Sequence, residues 1–382
     1  MQHSPKPLRA VFTGAALALA AAFAGDAAAQ SSTGPIIIGT SLPLTGPHAS
    51  TGKELLSIMQ SYVQRSNQQG GIAGRNLQLV ALDDHFSASQ TELNARRLVE
   101  NGAVALLNCL GTSSCNAMLP TLQTSHTPLV GAMAGSGLLR ESAARYVFNL
   151  RASTESEITA MVHQIQSVGQ NRIALVYQSD EFGRSSLQTA HNAFRAAKLT
   201  PVIELALEAD GRNAAELGKT LSALDNLHGV IVLASAPATT ALITQSRKQQ
   251  VGVQFYNLAA QANQALVQGL GEHTRGVVFA TLVPSPWKAA IPAVKSYQQL
   301  LSSPGQPQPS YLGLEAYLNI HTLVEGLRKA GAETSRAKLV SALDSLGDMQ
   351  YGPMRVRFAQ GRHQGSGYVG LAMLNQHGGF IE

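Results

Sequence analysis

Gly111-Thr112-Ser113-Ser114-Cys115 is one residue short of a nucleophile elbow, the G-x-S-x-G turn that exposes an attacking serine. Cys115 stands where the second glycine must be, and that glycine permits the tight turn. A serine hydrolase would also need His126 or His85, with an acid, to converge on Ser113 or Ser114. A different chemistry suits the segment better. It lies between a strand and a helical stretch, so its backbone N–H groups are open and the helix start favours negative charge. Thr112, Ser113 and Ser114 are therefore candidates to hold a carboxylate, with a plain N-cap as the bland alternative. Ala134-Gly135-Ser136-Gly137 follows the next strand, and its glycines let backbone approach a guest closely. An ordinary loop is the other reading there.

The remaining clusters carry less. Asp83-Asp84-His85 puts adjacent carboxylates on opposite faces of a strand, which suits caps and turns more than paired acid-base work. Asp180-Glu181-Phe182-Gly183 joins a strand to a helix; the acids fit a helix start, and Phe182 offers a ring to a ligand. The 11 histidines form no His-x-His or His-Glu-x-x-His, and no Cys-x-x-Cys occurs, so neither a metal nor another cofactor is expected. Gly365 to Gly370 matches G-x-G-x-x-G but precedes a strand instead of opening a helix, so turn glycines explain it. Trp287, in a proline-rich loop, either lines a cleft or packs. Cys109 and Cys115 are six apart; an oxidising compartment permits a bridge, but spacing does not decide between a bridge and two small buried side chains.

These segments need elements to hold them. Ile36 to Gly39, Leu77 to Leu82, Val104 to Asn108 and the run from Pro128 read as strands. Lys53 to Gln68 reads as a helix with Leu55, Ile58, Met59 and Tyr62 on one face. Ser89 to Glu92 and Thr154 to Glu157 read as capping boxes opening helices to about Asn101 and Val168. Strands at 172–177, 202–205, 230–234, 254–258 and 276–280 alternate with helices at 182–197, 213–224 and 239–249. A long helix from about Leu312 ends at Gly331. This rhythm argues α/β architecture, with parallel sheets covered on both faces and enough chain for two of them.

The ends and the composition bound the class. Lys6 and Arg9, an apolar run of about 15 residues and then Ala27-Ala28-Ala29 are the layout of a secretory signal peptide over 1–29. The run is short of the roughly 20 residues a spanning helix needs. No cysteine stands at the cleavage point for a lipid anchor. The formal net charge of +5 is spread along the chain without a basic block, and only 5% of residues are aromatic, so nucleic acid is not an expected partner.

Taken in order, several segments resemble the type I periplasmic binding proteins of the branched-chain amino acid transport group. They are Ile38 to Pro47, Asn67 to Arg75, Leu82-Asp83-Asp84, Gly111 to Ser114, Pro128 to Gly131, Phe182-Gly183, Gly352-Pro353, His363 to Gly365 and Gly378 to Phe380. The resemblance runs from about residue 35 to 382. It implies two Rossmann-like lobes joined by three crossover strands near 150, 280 and 360. Lobe I would comprise 35–150 plus 281–355, and lobe II 151–280 plus 356–382.

The resemblance also implies a site and a role. The ligand carboxylate would meet Thr112, Ser113 and Ser114, with a second contact at Ala134, Gly135 and Ser136. Phe182 would cover the ligand from the second lobe, and the loop from His48 to Thr51 would approach its side chain. Three positions depart from the amino acid binders: a second-lobe tyrosine is replaced by Ala236, the tyrosine of the aromatic-Gly pair is Phe182 and lacks the hydroxyl, and the acid that meets the ligand ammonium falls at Ala259 or Ala260. Unless Glu315 or Asp180 substitutes, a carboxylate without an ammonium fits at least as well. The implied protein is no enzyme. It is a periplasmic solute-binding protein that takes an amino acid, an aromatic or keto acid, or an amide, and hands it to an ABC permease in the inner membrane. An extracytoplasmic sensory module and, less fittingly, a serine hydrolase are the alternatives.

Overall fold

Uncharged β-branched Ile36-Ile37-Ile38 opens strand β1 (Ile36–Leu42) of the computed structural model, which describes residues 1–4 and 34–382. The expected cleavage site and apolar leader run lie outside the described residues. β1 pairs in parallel with β2 (Leu77–Asp83) and β3 (Ala105–Leu110). With β4 (Leu129–Met133) and β5 (Val147–Phe148) they make a parallel sheet of order β2-β1-β3-β4-β5. A second sheet begins with β6 (Ile173–Gln178), β7 (Ile203–Leu207), β8 (Gly229–Leu233), β9 (Gln254–Asn257) and β10 (Val277–Thr281). A small hairpin, β11 (Asp348–Tyr351) and β12 (Met354–Arg357), stands apart. Two antiparallel strands, β13 (Gly370–Leu374) and β14 (Phe380–Ile381), complete the second sheet, of order β14-β13-β10-β9-β8-β6-β7.

The central strands of the two large sheets are buried on both faces, as parallel strands require. Adjacent Leu106 and Leu107 of β3 fall into different clusters: Leu106 packs with Leu98, and Leu107 with Leu55, Ile58 and Leu314. The covering helices over the first sheet are α1 (Ala49–Gln68), α2 (Ala88–Glu100), α3 (Thr112–Ala117) and α4 (Leu119–Ser125). Around the second are α5 (Thr154–Ser167), α6 (Glu181–Ala196), α7 (Ala214–Ser222), α8 (Ala236–Lys248) and α9 (Gln264–Leu270). After β10 come α10 (Pro292–Leu300), α11 (Tyr311–Ala330) and α12 (Arg336–Asp344). Helix α11 is buried nearly all round, so it forms part of a core rather than a surface face.

The chain passes between the two sheet assemblies after β5, after β10 and after β12. The first and third passages touch: the Asn149 N–H donates to the His363 carbonyl at 2.9 Å, and the Gly365 N–H to the Asn149 carbonyl at 2.8 Å. Gly365 is thus a close-approach residue, since a Cβ there would meet Phe358 at 2.6 Å, and no helix follows the glycine-rich run. This is the two-lobed α/β architecture with three crossovers.

Several local expectations shift. Helix α1 starts at Ala49, so Thr51 lies in its first turn and not in a loop. The cap of α2 is Ser87, two residues before the expected box, and its hydroxyl receives the Gln90 N–H. The cap of α5 is Ser153, which receives the Ser156 N–H at 3.1 Å. That one-residue shift frees Glu157 from any capping role. Cys109 and Cys115 form a disulfide, their Cα atoms 5.5 Å apart. It ties the end of β3 to α3 beneath the Thr112–Ser114 segment.

Candidate binding cleft

Strands from both sheets end at one cavity of about 310 Å³. Leu110 and Met133 close β3 and β4 on one side; Gln178 closes β6 on the other. Open α/β sheets bind ligands at the carboxyl ends of their strands, and here two sheets present those ends to a shared space. Among the described residues no helix is long and apolar enough to cross a membrane.

The first wall is the turn after β3. Gly111 has φ +90°, and a Cβ there would lie 2.8 Å from the Phe86 ring, so glycine is needed on both counts. Thr112, Ser113 and Ser114 form the first turn of α3, whose leading N–H groups have no helical acceptor. Ser114 is buried, whereas Ser113 is exposed and donates its hydroxyl to Glu181 Oε2 across the cleft at 3.2 Å. Ala134 and Gly135 follow β4 into the same wall. Gly135 lies against α5, whose Thr154 N–H donates to its carbonyl at 3.1 Å; a Cβ would fall 2.0 Å from Thr154 Oγ1.

His48 and Thr51 enter from the start of α1. The His48 ring stacks on Phe86 with centroids 3.9 Å apart, and burial pushes its pKa below the usual histidine value, leaving it neutral at pH 7. Phe86 is held by the acidic turn. Asp84 is fully buried and accepts from the Ser41 hydroxyl at 3.0 Å and the Phe86 N–H at 2.9 Å. Asp83 accepts from the Leu44 N–H, the Thr45 hydroxyl and the His85 N–H. Desolvation works to raise the Asp83 pKa, but these bonds outweigh it and hold it down to about 2. Both acids are turn-builders; Asp83 also lies 3.1 Å from His85 Nδ1, but neither of that pair lines the cavity.

The opposite wall belongs to the second sheet. Phe182 lies in the first turn of α6, which Asp180 caps by accepting the Gly183 N–H at 2.9 Å. Asp180 Oδ2 also accepts from Gln178 Nε2 at 2.5 Å. Ser235 and Ala236 supply the start of α8, and Leu258, Ala260 and Gln261 the turn after β9.

Nine of the eleven residues expected at the site line this cavity: His48, Thr51, Thr112, Ser113, Ser114, Ala134, Gly135, Phe182 and Ala236. Ser136 and Ala259 do not. Ser136 turns away to cap a short helical turn, and its carbonyl accepts from Arg140. Ala259 is buried beside the lining, its N–H donated to Glu157 at 2.7 Å. The floor between the walls holds Arg151, Thr154 and Glu157, which sequence reasoning missed. Arg151 makes a bidentate pair with Glu315 at 2.8 and 2.9 Å, both side chains buried. Glu315 is therefore committed and cannot serve a ligand, and Asp180 is committed by its cap.

Other candidates fall elsewhere. Trp287 stacks on Phe380 and meets Tyr311 edge-on, away from the cavity. His85 bonds to Thr45 and His126 stacks on Tyr146; neither lines the cleft with Ser113 or Ser114. Among the described residues no three His, Cys, Asp or Glu side chains gather as metal ligands.

The family profile described as periplasmic binding protein matches residues 35–379. The Leu/Ile/Val-binding protein of Escherichia coli strain K12 is 22% identical over 303 residues, covering 78% of this chain and 81% of that protein. An extracellular ligand-binding receptor from Verminephrobacter eiseniae superposes with a TM-score of 0.84 at 25% identity, covering 91% of this chain and 100% of the other. A substrate-binding periplasmic protein from Ralstonia solanacearum gives 0.82 at 27%, covering 91% and 99%.

Proposed function

Since this chain belongs to the periplasmic binding protein family, as a type I member of the branched-chain amino acid group, we propose that it captures a small solute in the cleft between its lobes for an ABC importer. That family implies a periplasmic location, and members bind substrates rather than convert them. Export would follow cleavage of the leader after Ala29, and the solute-loaded form would be handed to an inner-membrane permease. The lobes would divide at about 35–150 plus 281–355 and 151–280 plus 356–382.

One observation carries this reading: strand ends from both sheets, with open amides at Thr112 to Ser114 and a ring at Phe182, face a single cavity of amino acid size. Contacts from both walls exist together only when the lobes are close, so solute shifts the population toward the closed form. The solute class is an amino acid, the kind in the name of the Escherichia coli relative, or another small carboxylate or amide.

A thermal-shift panel of amino acids, aromatic acids, keto acids and amides tests it. At a hundred times its dissociation constant a true solute adds about 2.7 kcal/mol of stability. At least one member should raise the melting temperature in a saturable way. Silence across the whole panel would count against the reading.

A further inference from the structure

We propose that the Cys109–Cys115 bridge is a positioning device for the cleft: it fixes the shape of one wall before solute arrives, so solute affinity depends on the thiol state of this pair. This rests on the cleft being the solute site. All the residues between the two cysteines, Leu110 to Ser114, line the cavity. Neither cysteine does. Both are fully buried and pack with Leu98, Met118 and Leu122 behind the wall. The bridge therefore closes a loop of chain around the lining segment without entering the space that solute would fill.

Local restraints on that segment are weak. Strand β3 leaves extended backbone at Asn108, with φ +55°, and the turn leaves it again at Gly111, with φ +90°. The Gly111 N–H reaches the Met133 carbonyl only at 3.5 Å. Helix α3 runs for 6 residues, and Gly111 at its N-cap position brings no side chain to cap it. A helix that short does not hold itself in water. The Ser113 hydroxyl is bonded to Glu181 on the opposite wall, which leaves its own wall no firmer. Opening the bridge would release the segment to other conformations, and solute would then have to order it again. That cost falls on binding, because the first sheet keeps its packing on both faces.

Thiol–disulfide exchange and solute binding are then linked. A dithiothreitol that reduces the bridge gives up two electrons and two protons; its own sulfurs close into a cyclic disulfide, and Cys109 and Cys115 become thiols. Linkage is reciprocal. A bridge that tightens solute must itself be harder to reduce when solute is bound, by the same factor. A chain still in a reducing compartment would take solute weakly, and competence would follow oxidation.

Two measurements on the full protein decide it, with L-leucine, L-phenylalanine, 4-methylpentanoate and 3-phenylpropanoate as probes. Titration calorimetry compares the native protein with the double variant Cys109→Ala, Cys115→Ala. The best-bound probe should lose about tenfold or more in affinity, while circular dichroism shows the fold kept. The second measurement needs no variant: the native protein is titrated in dithiothreitol buffers with and without that probe at saturation. Trapped thiols should appear at a ratio of reduced to oxidised dithiothreitol shifted about tenfold by the probe, equal to about 30 mV, with circular dichroism unchanged. A bridge that only staples the lobe would lower the melting temperature when removed, yet leave the affinity and the reduction midpoint where they were. That result overturns the proposal while leaving the cleft a solute site. Loss of the fold in both the variant and the reduced protein overturns it too, since the bridge would then hold the lobe and not the wall. No binding by any of the four probes also overturns it, and silence across the broader panel removes the underlying reading as well.

Discussion

Ser113 and Ser114 are neighbours whose hydroxyls meet different surroundings. Ser113 reaches across the cleft to Glu181, and its exposure lets water compete for that bond. Ser114 is buried at the cavity wall, and its hydroxyl makes no hydrogen bond to a described residue. A carboxylate bound at this turn would accept from Ser114 directly. Ser114→Ala should therefore weaken the best stabilising solute by roughly three- to tenfold, the net worth of one hydrogen bond. Calorimetric titration reads this, and unchanged affinity would show that the solute lies elsewhere. The melting temperature of the solute-free variant should hold, because no protein partner is lost.

At the scale of elements, the junction between β5 and α5 joins fold to site. Arg151 leaves the first lobe crossing and grips Glu315 on α11, while Glu157 one turn into α5 faces the cavity. Removing one partner of a buried pair strands the other charge, so Arg151→Met should cost about 3–5 kcal/mol in urea unfolding, and adding Glu315→Leu should recover much of it. Additive losses in the double variant would contradict a coupled pair.

This junction was also where the sequence was least legible. The Thr112–Ser114 turn could be found because a strand, small hydroxyl residues and a helix follow in order. Phe182 could be found by its place at a helix start. Glu157 read as the last residue of a capping box, a role that charge and spacing favour. Only the true cap at Ser153 and the three-dimensional path of α5 turn it inward. Phe86 gave no signal because its position depends on left-handed backbone at φ +59° and on Asp84 beneath it. The cysteine bridge depends on how the turn after β3 folds back, which spacing does not encode.

At the scale of the whole molecule, one parallel and one mainly parallel sheet form two jaws, and the turns at their strand ends carry the polar groups of the cleft. The crossings near Asn149 and Gly365 brace each other by backbone bonds, so closure would move the jaws as bodies about a narrow waist. The cleft needs both jaws, since its lining comes from both. A crystal structure of the protein saturated with its strongest stabiliser from the panel tests this most directly. One solute molecule per chain should lie between the Thr112–Ser114 turn and Phe182, touching both walls. A solute bound outside that space, or a cleft still empty at saturation, would contradict the account.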